Sequence, residues 1–137
     1  MTESLTDFFG PLISSYSRSQ AIDEGVLHDV TDAARGHGIL LPTAIAAHAW
    51  SVAVACPDLD PDTASEYEAG RVWSVLVYAS NALRHAKRLG REGMQEFTFV
   101  PAPDLDSAGG VPVTLGIEVG PGDCGEPVLT ITAVADR

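Results

Sequence analysis

Hydrophobic residues recur at helical spacing through the first two thirds of the chain and at strand spacing in the last third. The longest helical pattern predicts a helix over about 65–89, with Ser65 or Thr63 as its N-cap and Gly90 as its stop. Its apolar positions recur every three or four residues: Val72, Leu76, Ala79, Leu83 and Ala86. Because apolar residues nearly surround the middle of this segment, we expect it to be the central buried helix.

Three shorter helices are predicted before this long one. Ser17 can cap about two helical turns over 18–24, and a short extended segment is expected over 26–30. Thr31 begins a second short helix, and a third is expected over 42–55, since a proline suits the first helical turn. Four residues at helical spacing give this third helix a buried face: Ile45, Ala49, Val52 and Cys56.

The hydrophobic period changes to two after residue 93. Alternating apolar residues predict strands over 95–101, 111–119 and 128–134. The glycine-rich segment 120–127 lies between the last two strands, which therefore form a hairpin with one face on the helices. Three glycines are expected to supply the positive φ angles of a wide turn: Gly120, Gly122 and Gly125.

The order of these elements predicts an α+β fold, in which a helical N-terminal half packs on a C-terminal antiparallel sheet of about three strands. Residues 1–13 mix polar and aromatic side chains and are expected to form an N-terminal arm. The remaining residues, 14–137, are predicted to form a single α+β domain, because the chain of 137 residues has the length of one domain.

The charge balance limits the kinds of partner. Nineteen acidic residues against eight basic ones give a formal net charge of −11. Since non-specific binding to nucleic acid or to an anionic membrane depends on basic residues, we expect neither as a direct partner. The acidic residues concentrate at 58–68 and half of the basic residues lie at 84–91, at opposite ends of the predicted long helix. The helix dipole favours both placements, so each group has a structural explanation.

The two cysteines, Cys56 and Cys124, form no CxxC pair and indicate reduced thiols. The first basic residue is Arg18, so the N-terminus lacks the positive region of a signal peptide, and we expect a cytoplasmic protein. Cys56 ends an apolar helix face and is expected to be a core residue. Cys124 lies between Asp123 and Glu126, whose negative charges disfavour the thiolate that a nucleophile needs.

No residue pattern points to a metal, a cofactor or a catalytic centre, and we expect none of the three. The histidines lack the spacing of zinc ligands: they are His28, His37, His48 and His85. The acidic DLDPD segment fails as a calcium loop, because its sixth and twelfth positions hold Thr63 and Ala69. The segment GPGDCG lacks the Lys-Ser/Thr ending of a phosphate-binding loop, and no nucleophile-elbow motif occurs.

Carboxylates and one arginine are the candidate binding residues. The carboxylates lie before and within the start of the long helix: Asp58, Asp60, Asp62, Glu66 and Glu68. A row of carboxylates can present charge to a channel lined by Lys and Arg, as phosphates do. Arg18 could bind an anion through bidentate hydrogen bonds from its guanidinium, although pairing with an acid such as Asp23 is the simpler interpretation of this residue.

Three stretches of the sequence follow a recognisable pattern in order: YxRxQAIxxGVLxDV over 16–30, GRVWxVL over 70–76 and GPGDxGEPVxTI over 120–131. The chain thereby resembles a family of small proteins of unknown function that bacterial plasmids and phages carry. It departs from that pattern at His28 and Cys124. The resemblance implies an accessory gene of a mobile genetic element and supplies no catalytic residue.

Three functions follow from these observations. The first is a non-enzymatic accessory protein that binds a host protein, for example as a counter-defence inhibitor occupying a nucleic-acid-binding surface. The second is a small-ligand-binding protein or an enzyme with a cleft near Arg18 and Arg71. The third is a self-associating module, a homodimer formed through an exposed edge strand after Pro112 and an arm carrying Phe8 and Phe9.

Overall fold

The computed structural model of the protein describes residues 17–99 and 112–134. The helices are α1 (Arg18–Asp23), α2 (Thr31–Arg35), α3 (Ala47–Ala53) and α4 (Pro61–Leu89). The strands are β1 (Leu27–Asp29), β2 (Thr43–Ala46), β3 (Gln95–Phe99), β4 (Val113–Pro121) and β5 (Pro127–Ala133). The predicted arm over 1–13, with Phe8 and Phe9, lies outside the described residues.

The strands form one sheet in the order β1-β2-β5-β4-β3. Neighbouring strands are antiparallel except β2 and β5, which pair in parallel. The α+β class is therefore confirmed, whereas the prediction of about three antiparallel strands is wrong, because the sheet has five strands and is mixed. The two additional strands come from the N-terminal half, which contributes to the sheet as well as to the helices.

The largest departure from the predicted elements is at residues 42–55, which were expected to form one helix. Residues Thr43–Ala46 instead form β2, and only Ala47–Ala53 are helical. Ile45 is fully buried opposite Ile131 of the parallel partner strand, whereas Val52 is 39% exposed. The helical spacing of these two residues therefore did not reflect a shared face.

Helix α4 and the sheet enclose the main core. Val75, Leu76 and Ala79 of the helix are fully buried in one cluster with the sheet residues, which include Leu115, Ile117 and Ile131. The rings of Tyr78 and Phe99 form a T-shaped contact, with centroids 5.7 Å apart and planes at 82°. Burial of this apolar surface positions α4 along the sheet.

The N-terminus of α4 differs from the prediction, whereas its C-terminus agrees with it. The N-cap is Asp60, and Pro61 follows it, so the helix begins earlier than a cap at Thr63 or Ser65 would allow. Gly90 ends the helix with φ +68°, as predicted. At 1.5 Å per residue, the 29 residues of α4 extend over about 43 Å. Among the described helices, none combines the length and the apolar surface that a bilayer span requires.

The edge strands of the sheet are β1 and β3. The segment after Pro112, which was expected to form an exposed edge, is β4 and pairs with β3 on one side and β5 on the other. The prediction that this segment offers an edge for dimerisation is therefore wrong, because both of its edges are already hydrogen-bonded.

Two of the three glycines predicted to need positive φ in the β4–β5 turn do not adopt it. Gly125 has φ +79°, whereas Gly120 and Gly122 lie outside the left-handed region. The Gly122 N–H donates to the carbonyl of Glu126, and a Cβ at Gly122 would meet only the carboxylate of the exposed Glu126 side chain, which can move aside. Of these three glycines, Gly125 alone is needed for its backbone conformation.

Replacing Gly125 by Ala should lower the free energy of unfolding by about 1 kcal/mol, because a side chain is strained at positive φ. Gly120→Ala is the matched control in the same hairpin, since a Cβ there meets nothing within 4 Å. We expect it to be neutral or slightly stabilising. Urea denaturation measures both variants, and equal losses of stability would contradict the assignment.

Candidate functional site

The acidic residues at the start of α4 divide into those that hold the fold together and those that do not. The Asp60 carboxylate accepts hydrogen bonds from the Thr63 N–H at 3.0 Å and from the Thr63 hydroxyl at 2.9 Å. These bonds to the charged form lower the pKa of Asp60 from its ordinary value. Asp60 is therefore a helix cap, in the position that sequence analysis gave to Thr63 or Ser65.

Glu68 also has a structural role. Its Oε2 accepts the backbone N–H of Cys56 at 3.1 Å, and Cys56 itself is buried, as predicted. One turn later, Nη1 of Arg71 donates to the carbonyls of Val54 and Ala55 at 3.4 and 3.1 Å. Glu68 and Arg71 together fasten the connection between α3 and α4 to the side of α4.

The other three acids are Asp58, Asp62 and Glu66, which we call the acidic end. All three are exposed, and their carboxylates form no hydrogen bond or ion pair with the part of the chain that the structure describes. Asp62 and Glu66 are four residues apart on α4 and therefore lie on the same face. At 1.5 Å per residue, about 39 Å of helix separates Asp62 from Arg88 at the basic terminus.

Arg18 joins α1 to the sheet. Its Nη1 donates to Oγ1 of Thr130 and its Nη2 to the carbonyl of Leu129, both at 2.8 Å. Burial lowers the pKa of Arg18, while the charges of nearby Asp29 and Asp123 oppose that shift. The expected pairing of Arg18 with Asp23 is therefore wrong, because the guanidinium turns to β5 instead.

The hairpin turn also holds α1. The Asp123 carboxylate accepts the backbone N–H of Arg18 at 2.6 Å and that of Ser19 at 3.1 Å. On the helix side, the Ser17 hydroxyl accepts the Gln20 N–H at 2.9 Å, as predicted for a cap. These bonds satisfy the N–H groups at the start of α1, so the residues around Arg18 anchor a short helix.

A cavity of about 240 Å³ beside Arg18 is lined by several carboxylates, including Asp23, Asp29, Asp123 and Glu126. Arg71 does not line it and instead contacts the connection between α3 and α4. The structure therefore does not bring Arg18 and Arg71 into one cleft, as the ligand-binding alternative required.

The remaining candidate side chains have local roles. His28 stacks on Trp50, with ring centroids 4.2 Å apart and planes within 10°. Cys124 is exposed in the turn, where its N–H donates to Oε1 of Glu126 at 2.9 Å. Within residues 17–99 and 112–134, no three His, Cys, Asp or Glu side chains are grouped so as to hold a metal ion.

Sequence analysis missed a second cavity, of about 480 Å³, between residues 37–41, helix α4 and the strands β4 and β5. Ser80, Arg84 and Lys87 line it from the helix. The available indication was the apolar run Ile39, Leu40 and Leu41, together with a serine and two bases at helical spacing on the predicted long helix.

Comparison of the chain with protein-family models, with curated proteins and with solved structures finds no match. The resemblance to small plasmid- and phage-borne proteins therefore stays a prediction. The function has to be argued from the arrangement of the side chains.

Proposed function

We propose that the protein is a non-enzymatic binding protein whose acidic end docks on a basic, nucleic-acid-binding surface of another protein. The observation that supports this proposal is the acidic end itself. Asp58, Asp62 and Glu66 are exposed at one terminus of a long, well-packed helix, and no described residue neutralises them.

Helix capping explains only part of this charge. The helix dipole acts within the first turn, which contains Asp62 and follows the cap Asp60. Asp58 precedes the cap and Glu66 lies in the second turn, so neither is required for helix stability on that ground. Their carboxylates are available to a partner.

A group of exposed carboxylates suits a surface that normally receives phosphates. Complementary charge steers association and selects the partner, and the packed helix already orders the backbone of Asp62 and Glu66. The basic terminus of α4 lies far from the acidic end, so its positive charge does not repel a basic surface that docks there. In the setting that the resemblance implies, the partner is a host protein and occupancy of its nucleic-acid site is a counter-defence activity.

Affinity capture from a bacterial lysate tests this proposal with the full chain as bait and two matched variants. The first variant neutralises the acidic end by Asp58→Asn, Asp62→Asn and Glu66→Gln. The control neutralises three exposed acids elsewhere, by Glu92→Gln, Glu96→Gln and Glu118→Gln, and removes the same charge. We expect the wild type and the control to retain a basic protein that duplex DNA displaces, and the first variant to lose it.

Two results would overturn the proposal. Equal loss of the captured protein in both variants would show that overall charge, and not the acidic end, governs binding. Retention of that protein in the presence of excess duplex DNA would show that the bound surface is not its nucleic-acid site.

A further inference from the structure

We propose that the 480 Å³ cavity beside α4 binds a small amphipathic carboxylate, an apolar body that carries one acidic head group. Nothing in the proposed docking function requires this site. It lies toward the basic end of α4, away from the acidic end, so the two proposals can fail independently.

The walls of the cavity are apolar and belong to three parts of the fold. Residues 39–41 form one wall, Leu83 of α4 forms another, and Val119 and Leu129 close the third from the sheet. Leu40 is 80% exposed and Val119 is 52% exposed, although both are large apolar residues. The volume lies within the range of small-molecule sites, and these walls favour an apolar ligand body.

Ser80 supplies a polar group inside this apolar cavity. It is only 5% exposed, and its hydroxyl makes no hydrogen bond with any residue that the structure describes. Ser74, on the same helix, instead donates to the carbonyl of Gly70 at 3.2 Å. The Ser80 hydroxyl is not one of the fully buried side-chain polar atoms that lack a partner among the described residues, so it is accessible from the cavity that it lines, where it can donate a hydrogen bond to a ligand oxygen.

Toward the C-terminus of α4, two basic residues lie on the same face of the helix as Ser80. Arg84 and Lys87 follow it by four and seven residues and therefore lie on the same helix face. Arg84 donates to Oδ1 of Asn81 at 2.7 Å through one Nη2 contact, which leaves its other N–H groups available. Within residues 17–99 and 112–134, no acidic residue lines this cavity. The polar groups thus select an anionic head group.

Titration calorimetry on the full chain, with octanoate as the probe and octanamide as its neutral counterpart, tests the site. We expect octanoate to bind one-to-one and octanamide to bind at least about ten-fold more weakly, because only the carboxylate forms charged hydrogen bonds. Arg84→Gln and Lys87→Gln should each weaken octanoate binding by about ten-fold. Arg88→Gln removes the same charge one residue beyond Lys87 without lining the cavity, and should leave the affinity unchanged.

Ser80→Ala separates a ligand-binding role from a structural one. We expect it to weaken octanoate binding several-fold while leaving the unfolding midpoint unchanged, since its hydroxyl forms no hydrogen bond with the described residues. Three results would overturn the proposal: no octanoate binding by the wild type at millimolar concentration, equal weakening by Arg88→Gln and Lys87→Gln, or a Ser80→Ala variant that loses stability and keeps its affinity.

Discussion

Replacing Ile45 by Ala is expected to lower the free energy of unfolding by about 2–5 kcal/mol, as large-to-small substitutions in packed cores do. Ile45 is fully buried in β2, opposite Ile131 of the parallel strand β5. The substitution removes apolar contacts and leaves a cavity where the N-terminal half joins the sheet. Urea denaturation followed by circular dichroism measures the loss.

Val52→Ala is the control that separates the observed fold from the predicted helix over 42–55. In that helix Ile45 and Val52 share one buried face, and truncating either would cost a similar amount. In the structure Val52 is 39% exposed on α3, so its truncation should cost less than about 1 kcal/mol. Similar losses for the two variants would contradict the strand assignment.

Sequence patterns predict the elements in which the hydrophobic residues keep a single spacing, either helical or strand-like, along the whole segment. Strands β3, β4 and β5 follow alternation, and α4 repeats its apolar residues over many turns. β2 has only four residues, and three of them have small side chains. Because the alanine-rich segment continues into α3, Ile45 matches the helical spacing of the apolar residues there by coincidence. Its strand conformation depends on pairing with β5 near the opposite end of the chain, which local periodicity does not contain.

In the candidate site, too, features that depend on neighbouring residues were predictable, whereas contacts between distant parts of the chain were not. Helix-end charges were predictable, because capping and dipole effects depend on residues within one turn of the helix terminus. The role of Glu68 was not, because its partner, the Cys56 N–H, depends on how the α3–α4 connection folds back onto α4. The cavity at Ser80 was missed for a similar reason, since its walls come from three separate parts of the chain.

Replacing Arg18 by Met is expected to lower the free energy of unfolding by about 1.5–3 kcal/mol, the usual contribution of hydrogen bonds that involve a charged group. Methionine keeps the apolar stem of the side chain but removes the two bonds to Leu129 and Thr130, which lie 111 and 112 residues further along the chain. The contact between α1 and β5 is thereby weakened. Thermal and urea unfolding of the full chain measure the change.

Arg35→Met is the matched control for this prediction. The Arg35 side chain is 63% exposed, and its only ion pair within the described residues is with exposed Asp32 at 3.6 Å, so its loss should cost less than about 1 kcal/mol. A ligand-binding arginine could be removed without loss of stability, whereas an arginine that anchors α1 could not. Unchanged stability of Arg18→Met would therefore restore an anion-binding role for Arg18. The expected loss would assign Arg18 to the fold and remove it from the candidate binding residues.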